Sequence, residues 1–205
     1  MATTDLSRDA TNFRKHYSGT LMQQGRVLTD DDFNEAARLD AEDDRNVCLN
    51  TIGPMGSPDR GFQISNVSIT GDVADFSIDR GVLFVGGLRL EMDDPETYHN
   101  QKDWIRQTDT DKYKVTLKEF QKVSQRRYDL VYIEAWQQEV SAVEDNELFD
   151  VALGGPDTAT RVRTMRRVRI AKDVGAPSCS EAWAKLKEQW AAEGTLGPDM
   201  ELESG

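Results

Sequence analysis

The hydrophobic pattern changes its period twice along the chain. Residues 1–28 carry scattered apolar anchors, Phe13, Tyr17, Leu21, Met22 and Val27, with neither helical nor strand spacing. They read as an arm that stays extended until it packs on something. Thr29 then has the features of a helix N-cap. Asp30, Asp31 and Asp32 follow it and complement the positive end of the helix dipole, and Asp32 stands where a capping box needs its acid. Nothing interrupts the helix before Gly53-Pro54. Its expected buried stripe is Phe33, Ala36, Ala37, Asp40, Asp44, Val47, Cys48 and Ile52. That stripe is thin, built mostly of small residues and interrupted by acids, which suits close packing against other helices.

Beyond Gly61 the pattern becomes that of strands. Phe62–Ser68, Val73–Asp79 and Val82–Glu91 are short runs of β-branched and aromatic residues, and Gly86-Gly87 predicts a tight hairpin inside the last of them. Residues 92–111 are polar and read as a loop. Lys112–Lys118, Asp129–Gln137 and Arg161–Ala171 read as further strands, with a turn-rich loop over Leu153–Thr160. A last helix, capped by Ser180, carries Trp183, Leu186 and Trp190 on one face. The tail from Gly194 is read as a flexible segment. The fold class expected is α+β: an N-terminal extended arm and long helix, a β-rich body of antiparallel, sandwich-like strands, and a C-terminal helix.

Charge narrows the partners. The 205 residues hold 25 Lys and Arg against 37 Asp and Glu, a net charge of −12. Such a balance disfavours binding to nucleic acid or to anionic membranes, both of which recruit basic side chains. No apolar stretch approaches the roughly 20 residues of a membrane-spanning helix, and the first residues lack the apolar core of a secretory signal. The protein is therefore expected to be made in the cytoplasm.

Chemistry-bearing motifs are sparse. Two cysteines, Cys48 and Cys179, and two histidines, His16 and His99, form no zinc-binding spacing. Asp30-x-Asp32-x-Asn34 starts like a calcium loop, but Glu35 stands where glycine is required. No nucleophile elbow is present, and at this density of acids adjacent carboxylates are no sign of a glycosidase pair. Gly154-Gly155-Pro156-Asp157 lacks the Lys of a phosphate loop and reads as a structural turn, with Asp157 capping the amides that follow. No catalytic residue, metal site or cofactor is assigned.

One basic feature stands out. If 161–171 is a strand, Arg161, Arg163, Arg167 and Arg169 share a face with Met165, while Val162, Thr164, Arg166, Val168 and Ile170 share the other. Four aligned arginines call for an acidic counterpart, in the same subunit or a neighbour. Glycan or nucleic-acid binding by the stripe is the sharper alternative, and a solvated edge strand guarded by charge the plainer one.

Two blocks resemble a known family. Asp9–Glu35, which contains Tyr17, Leu21, Gln24-Gly25-Arg26-Val27 and Asp32-Phe33-Asn34-Glu35, is similar to the opening of a bacterial domain of unknown function. So is Val131–Arg161, with its Ala152-Leu153-Gly154-Gly155-Pro156-Asp157-Thr158 run. Proteins of that family occur alongside contractile, phage-tail-like injection systems, and the opening block also resembles attachment segments of tail-spike and baseplate proteins. The resemblance implies that Gln24, Gly25 and Arg26 dock onto a neighbour and that Asp32, Phe33, Asn34 and Glu35 begin an oligomerising helix. It further implies a structural, non-enzymatic subunit that assembles as a homotrimer with other baseplate or tail proteins. A glycan receptor would be met by a C-terminal region beyond residue 205, since family members usually continue further. The expected organisation is a docking arm and oligomerisation helix (1–53), a β-rich domain (54–175), a C-terminal helix (176–193) and a flexible tail (194–205). The competing expectations are a glycan- or receptor-binding module, or a glycan hydrolase built on dispersed carboxylates.

Overall fold

The computed structural model describes residues 8–70, 73–102, 115–116, 128–156, 158–172, 174–175 and 178–194. It is α+β, with two helices and a body of antiparallel sheets.

Helix α1 runs Asp30–Ile52, and its start is fixed by the expected capping box. The Thr29 hydroxyl accepts the Asp32 amide at 3.3 Å, and Asp32 Oδ2 accepts the Thr29 amide at 3.4 Å. Gly53, at φ 97°, ends the helix.

Among the described residues the strands that follow are β1 (Met55–Gly56), β2 (Ile64–Thr70), β3 (Val73–Ile78), β4 (Gly81–Val85), β5 (Leu88–Met92), β6 (Glu96–Thr97), β7 (Val115–Thr116), β8 (Leu130–Val140) and β9 (Arg161–Ala171). They form three antiparallel groups: β1-β4-β5, then β2-β3-β6 with β7 also on β3, and the ribbon β8-β9. The β4–β5 hairpin turns at Gly86-Gly87 as expected. Most of the Lys112–Lys118 stretch lies outside the described residues, as does the tail beyond Gly194.

One core joins the three groups. Phe62, Phe76, Ile78, Leu83, Leu90, Met92, Tyr98 and Val168 pack together, with Val131, Ile133 and Ala135 of the ribbon against them. The polar 92–111 stretch is more than a loop. Its Glu96, Tyr98 and Gln101 are among the most buried residues of the chain, at 5%, 1% and 5% exposure. Asp59 pins the preceding turn to β4, its carboxylate accepting the amides of Val82 and Gly61 at 3.1 and 2.9 Å. Those two backbone donors, Val82 first, hold its pKa below the ordinary 3.8.

Helix α2 spans Cys179–Glu193 and is capped by Ser178, two residues before the expected Ser180. Both serines could accept an amide, but Ser178 is the one whose hydroxyl takes the Glu181 N–H, at 3.3 Å. Trp190 stands edge-on to Tyr132 of β8 and to Trp183, with centroids 5.3 and 5.8 Å apart, so α2 covers one end of the ribbon.

Helix α1 corrects the expected packing. Its buried residues are Asp31 and Leu39, and the half-buried Arg38, Glu42, Arg45 and Leu49 continue that face. Most of the expected stripe is turned to solvent, with Phe33, Ala37, Asp40, Asp44, Val47 and Ile52 exposed and Ala36 and Cys48 half-buried. The physical reason is that arginines make the inward contacts, Arg38 to the arm at Asp9 and Arg45 to the β4–β5 hairpin. Arg45 Nε donates to the Gly86 carbonyl at 2.8 Å. A Cβ on Gly87 would lie 2.7 Å from the Arg45 carbonyl oxygen, so only glycine lets the helix sit so close to the hairpin.

Candidate functional site

The arm is tied to α1 by charge. Arg8 Nε and Nη2 donate to Asp31 Oδ2 at 2.9 and 2.6 Å, and Arg38 reaches Asp9 at 2.6 Å. The Asp31 hydrogen bond, followed by its charge, raises the Arg8 pKa above its ordinary value. Asp9 is lowered chiefly by the Thr11 amide, with Arg38 contributing less.

The residues marked by the resemblance gather at this end of the molecule. Gln24 and Gly25 are the central pair of a turn in which the Arg26 amide donates to the Gln23 carbonyl at 3.2 Å, and Gly25 supplies φ 77°. Arg26 and Asp32 line one hollow of about 320 Å³ together with Leu21, Met22, Val27 and Leu28. Phe33 projects into solvent, while Asn34 and Glu35 are half-buried. The apolar side chains here are left uncovered: Leu21 is 94% exposed, Val27 85% and Phe33 67%, and Val47, about 21 Å further along α1, is 59% exposed. A concentration of this kind on a folded chain is characteristic of an interaction surface.

The ribbon brings together the second group. Arg161 and Arg163 are exposed, while Arg167 and Arg169 are half-buried. Arg169 pairs with Glu134 on β8 at 2.7 Å, so part of the counter-charge lies on the adjacent strand. The outer end of the ribbon and the 141–148 loop enclose a cleft of about 590 Å³. Val140, Leu148, Arg161 and Arg163 line it, with Glu144 and Asp145 on the loop side.

Gly154 and Gly155 both take positive φ, at 89° and 94°, ahead of Pro156. Asp157, expected to cap this turn, lies outside the described residues. In the same loop Asp150 accepts the amides of Ala152 and Leu153 at 2.9 and 3.1 Å. The turn does not join the arm in one site, nor does the arginine strand.

Sequence reasoning missed the cluster that locks the ribbon to the sheets. Arg166 points inward, and its two terminal nitrogens donate to the two oxygens of Glu96 at 3.1 and 2.9 Å. The Phe62 ring stands 5.3 Å from the guanidinium carbon. Beside this pair, Gln101 Nε2 donates to the Val168 carbonyl at 3.0 Å, and Gln101 Oε1 accepts the Val168 amide at 2.8 Å. The side-chain amide thus takes the place of a further strand on the outer edge of β9. An arginine on the apolar face of β9 was the available signal, since it demands a buried acid.

Cys48 and Cys179 are free thiols. Among the described residues no group of three His, Cys, Asp or Glu side chains could hold a metal ion, and no helix is long and apolar enough to cross a membrane.

Residues 2–192 match the model of a family of unknown function, DUF6519. No curated protein and no solved structure matches the chain.

Proposed function

The chain belongs to this DUF6519 family, and we propose that it is a structural assembly subunit of a contractile, phage-tail-like injection particle, seated at the baseplate or at the root of a spike or fibre. In this reading it is made in the bacterial cytoplasm and docks onto other baseplate or tail proteins and onto itself, as a homotrimer. It works without catalysis. The observation that carries the reading is the uncovered apolar surface of the arm and α1, where Leu21, Val27, Phe33 and Val47 stand in solvent. Each such side chain gains about 1.5–3 kcal/mol when fully buried against a neighbour. The resemblance of the Asp9–Glu35 and Val131–Arg161 blocks supports the kind of particle.

Removing residues 1–28 tests it. The core lies beyond this segment, so the shortened chain is expected to keep a cooperative unfolding transition. It should be missing from particles purified from the producing cell, as read by quantitative mass spectrometry. Incorporation at the level of the full chain would contradict the docking role of the arm.

A further inference from the structure

We propose that, within such an assembly, the cationic arm of one copy, residues 8–28, lies along the exposed acidic seam of α1 on the next copy. This rests on the self-assembly reading above and goes further by naming the surface that receives the arm and the chemistry that joins the two.

The seam has a regular geometry. Phe33, Ala37, Asp40, Asp44 and Val47 follow one another at alternating intervals of four and three, the spacing that keeps side chains on one line of a helix. All five are exposed, on the side of α1 opposite Asp31, Arg38, Arg45 and Leu49, and Asp43 stands exposed beside them. The two arginines of the helix are engaged on that opposite side, Arg38 with Asp9 and Arg45 with Glu42 and the Gly86 carbonyl. A seam with this spacing ordinarily pairs with its own copies in a coiled coil. Here Asp40 and Asp44 occupy its middle, and a parallel bundle of identical helices would stack those carboxylates against each other away from water. Like charges brought together in a low-dielectric interior repel strongly. The seam therefore fits a partner that is cationic opposite its centre and apolar toward its ends.

The arm has that character and buries nothing of its own. From Arg8 to Leu28 every residue is exposed except Thr11 and Thr20, which are half-buried. Its cations are Arg8, Arg14, Lys15 and Arg26, and its one acid is Asp9. Arg8 and Asp9 are already paired within the chain, with Asp31 and Arg38. Arg14, Lys15 and Arg26 are left in solvent beside Phe13, Tyr17, Leu21, Met22 and Val27. Asp32 shares a hollow with Arg26, but its carboxylate is held by the Thr29 hydroxyl and amide, at 2.8 and 3.4 Å. The arm therefore offers cations among apolar side chains, and the seam offers carboxylates between apolar ends. Chain length points to a second copy. Arg26 is three residues before the Thr29 cap, a reach of at most about 11 Å, whereas Asp44 lies about 22 Å along the helix from that cap. Arginine–carboxylate pairs formed at such a contact give both register and partner choice. Arm and seam are different patches of one chain, so their contact is heterologous, and in a trimer each arm passes to the next copy around a closed ring.

The test reverses the charges in the full chain. Sedimentation should give an oligomer for the native chain. The doubles Arg14→Glu/Arg26→Glu and Asp40→Lys/Asp44→Lys should each fall to the mass of one chain. The quadruple combining them restores opposite charge across the contact and should recover the oligomer. Because the doubles could misfold, a second measurement leaves the charges intact: a photo-crosslinking amino acid at Ala37 should give a product of two chain masses, joined to residues 8–28 of the other copy. Doubles that remain oligomeric, or crosslinks to α1 or to the β-rich body of the other copy, would overturn the pairing while leaving self-assembly standing. A native chain that is monomeric would overturn both.

Discussion

Replacing Arg166 by Met should cost about 3–5 kcal/mol of folding stability, the usual penalty for stranding one half of a buried ion pair. Glu96 is 5% exposed and would be left without its guanidinium partner in surroundings made of Phe62 and the central core. Glu96→Gln should be costly for the same reason in reverse, because the cation then stays buried. The loss is a large share of the roughly 5–15 kcal/mol that holds a typical domain folded. The double variant Glu96→Leu/Arg166→Met removes both charges and should recover much of the loss. Equilibrium urea unfolding of the three variants separates these outcomes. If the double were as unstable as either single, packing rather than charge would be the source of the penalty.

Gln101→Leu is the second large effect. It preserves most of the side-chain volume but removes the amide that satisfies Val168 on both its backbone groups. A buried donor or acceptor left unpaired costs about 1–3 kcal/mol, so the two together should lower stability by about 2–6 kcal/mol. The loss should appear first as opening of the β9 edge. Hydrogen exchange at the Val168 amide should then accelerate more than exchange in the β4–β5 hairpin. Equal acceleration at both sites would mean that Gln101 stabilises the body as a whole rather than this edge.

These two clusters also mark where the chain could be read from its residues and where it could not. The bounds of α1 were legible because its ends are set by local chemistry, Thr29 with Asp32 at one end and Gly53 at the other. The Gly86-Gly87 hairpin and the 161–171 strand were legible for a similar reason: turn residues and alternation act over a few positions. Which side of α1 packs inward was not. The helix meets the hairpin through Arg45 and Leu49 and the arm through Arg38, and hydropathy counts an arginine as polar whatever its stem covers. The 92–111 stretch was opaque because Glu96 and Gln101 are buried only by virtue of Arg166 and Val168, about 70 residues away. As for the candidate surface, the arm's apolar side chains and the arginines of β9 could be named in advance. Which of them stand in solvent and which line a cleft needed the folded chain.

The most direct test of the account is the solution mass of the intact chain. Sedimentation at low salt should show a discrete species of three chain masses. A well-folded chain that stays strictly monomeric across protein concentration and salt would contradict self-assembly through α1.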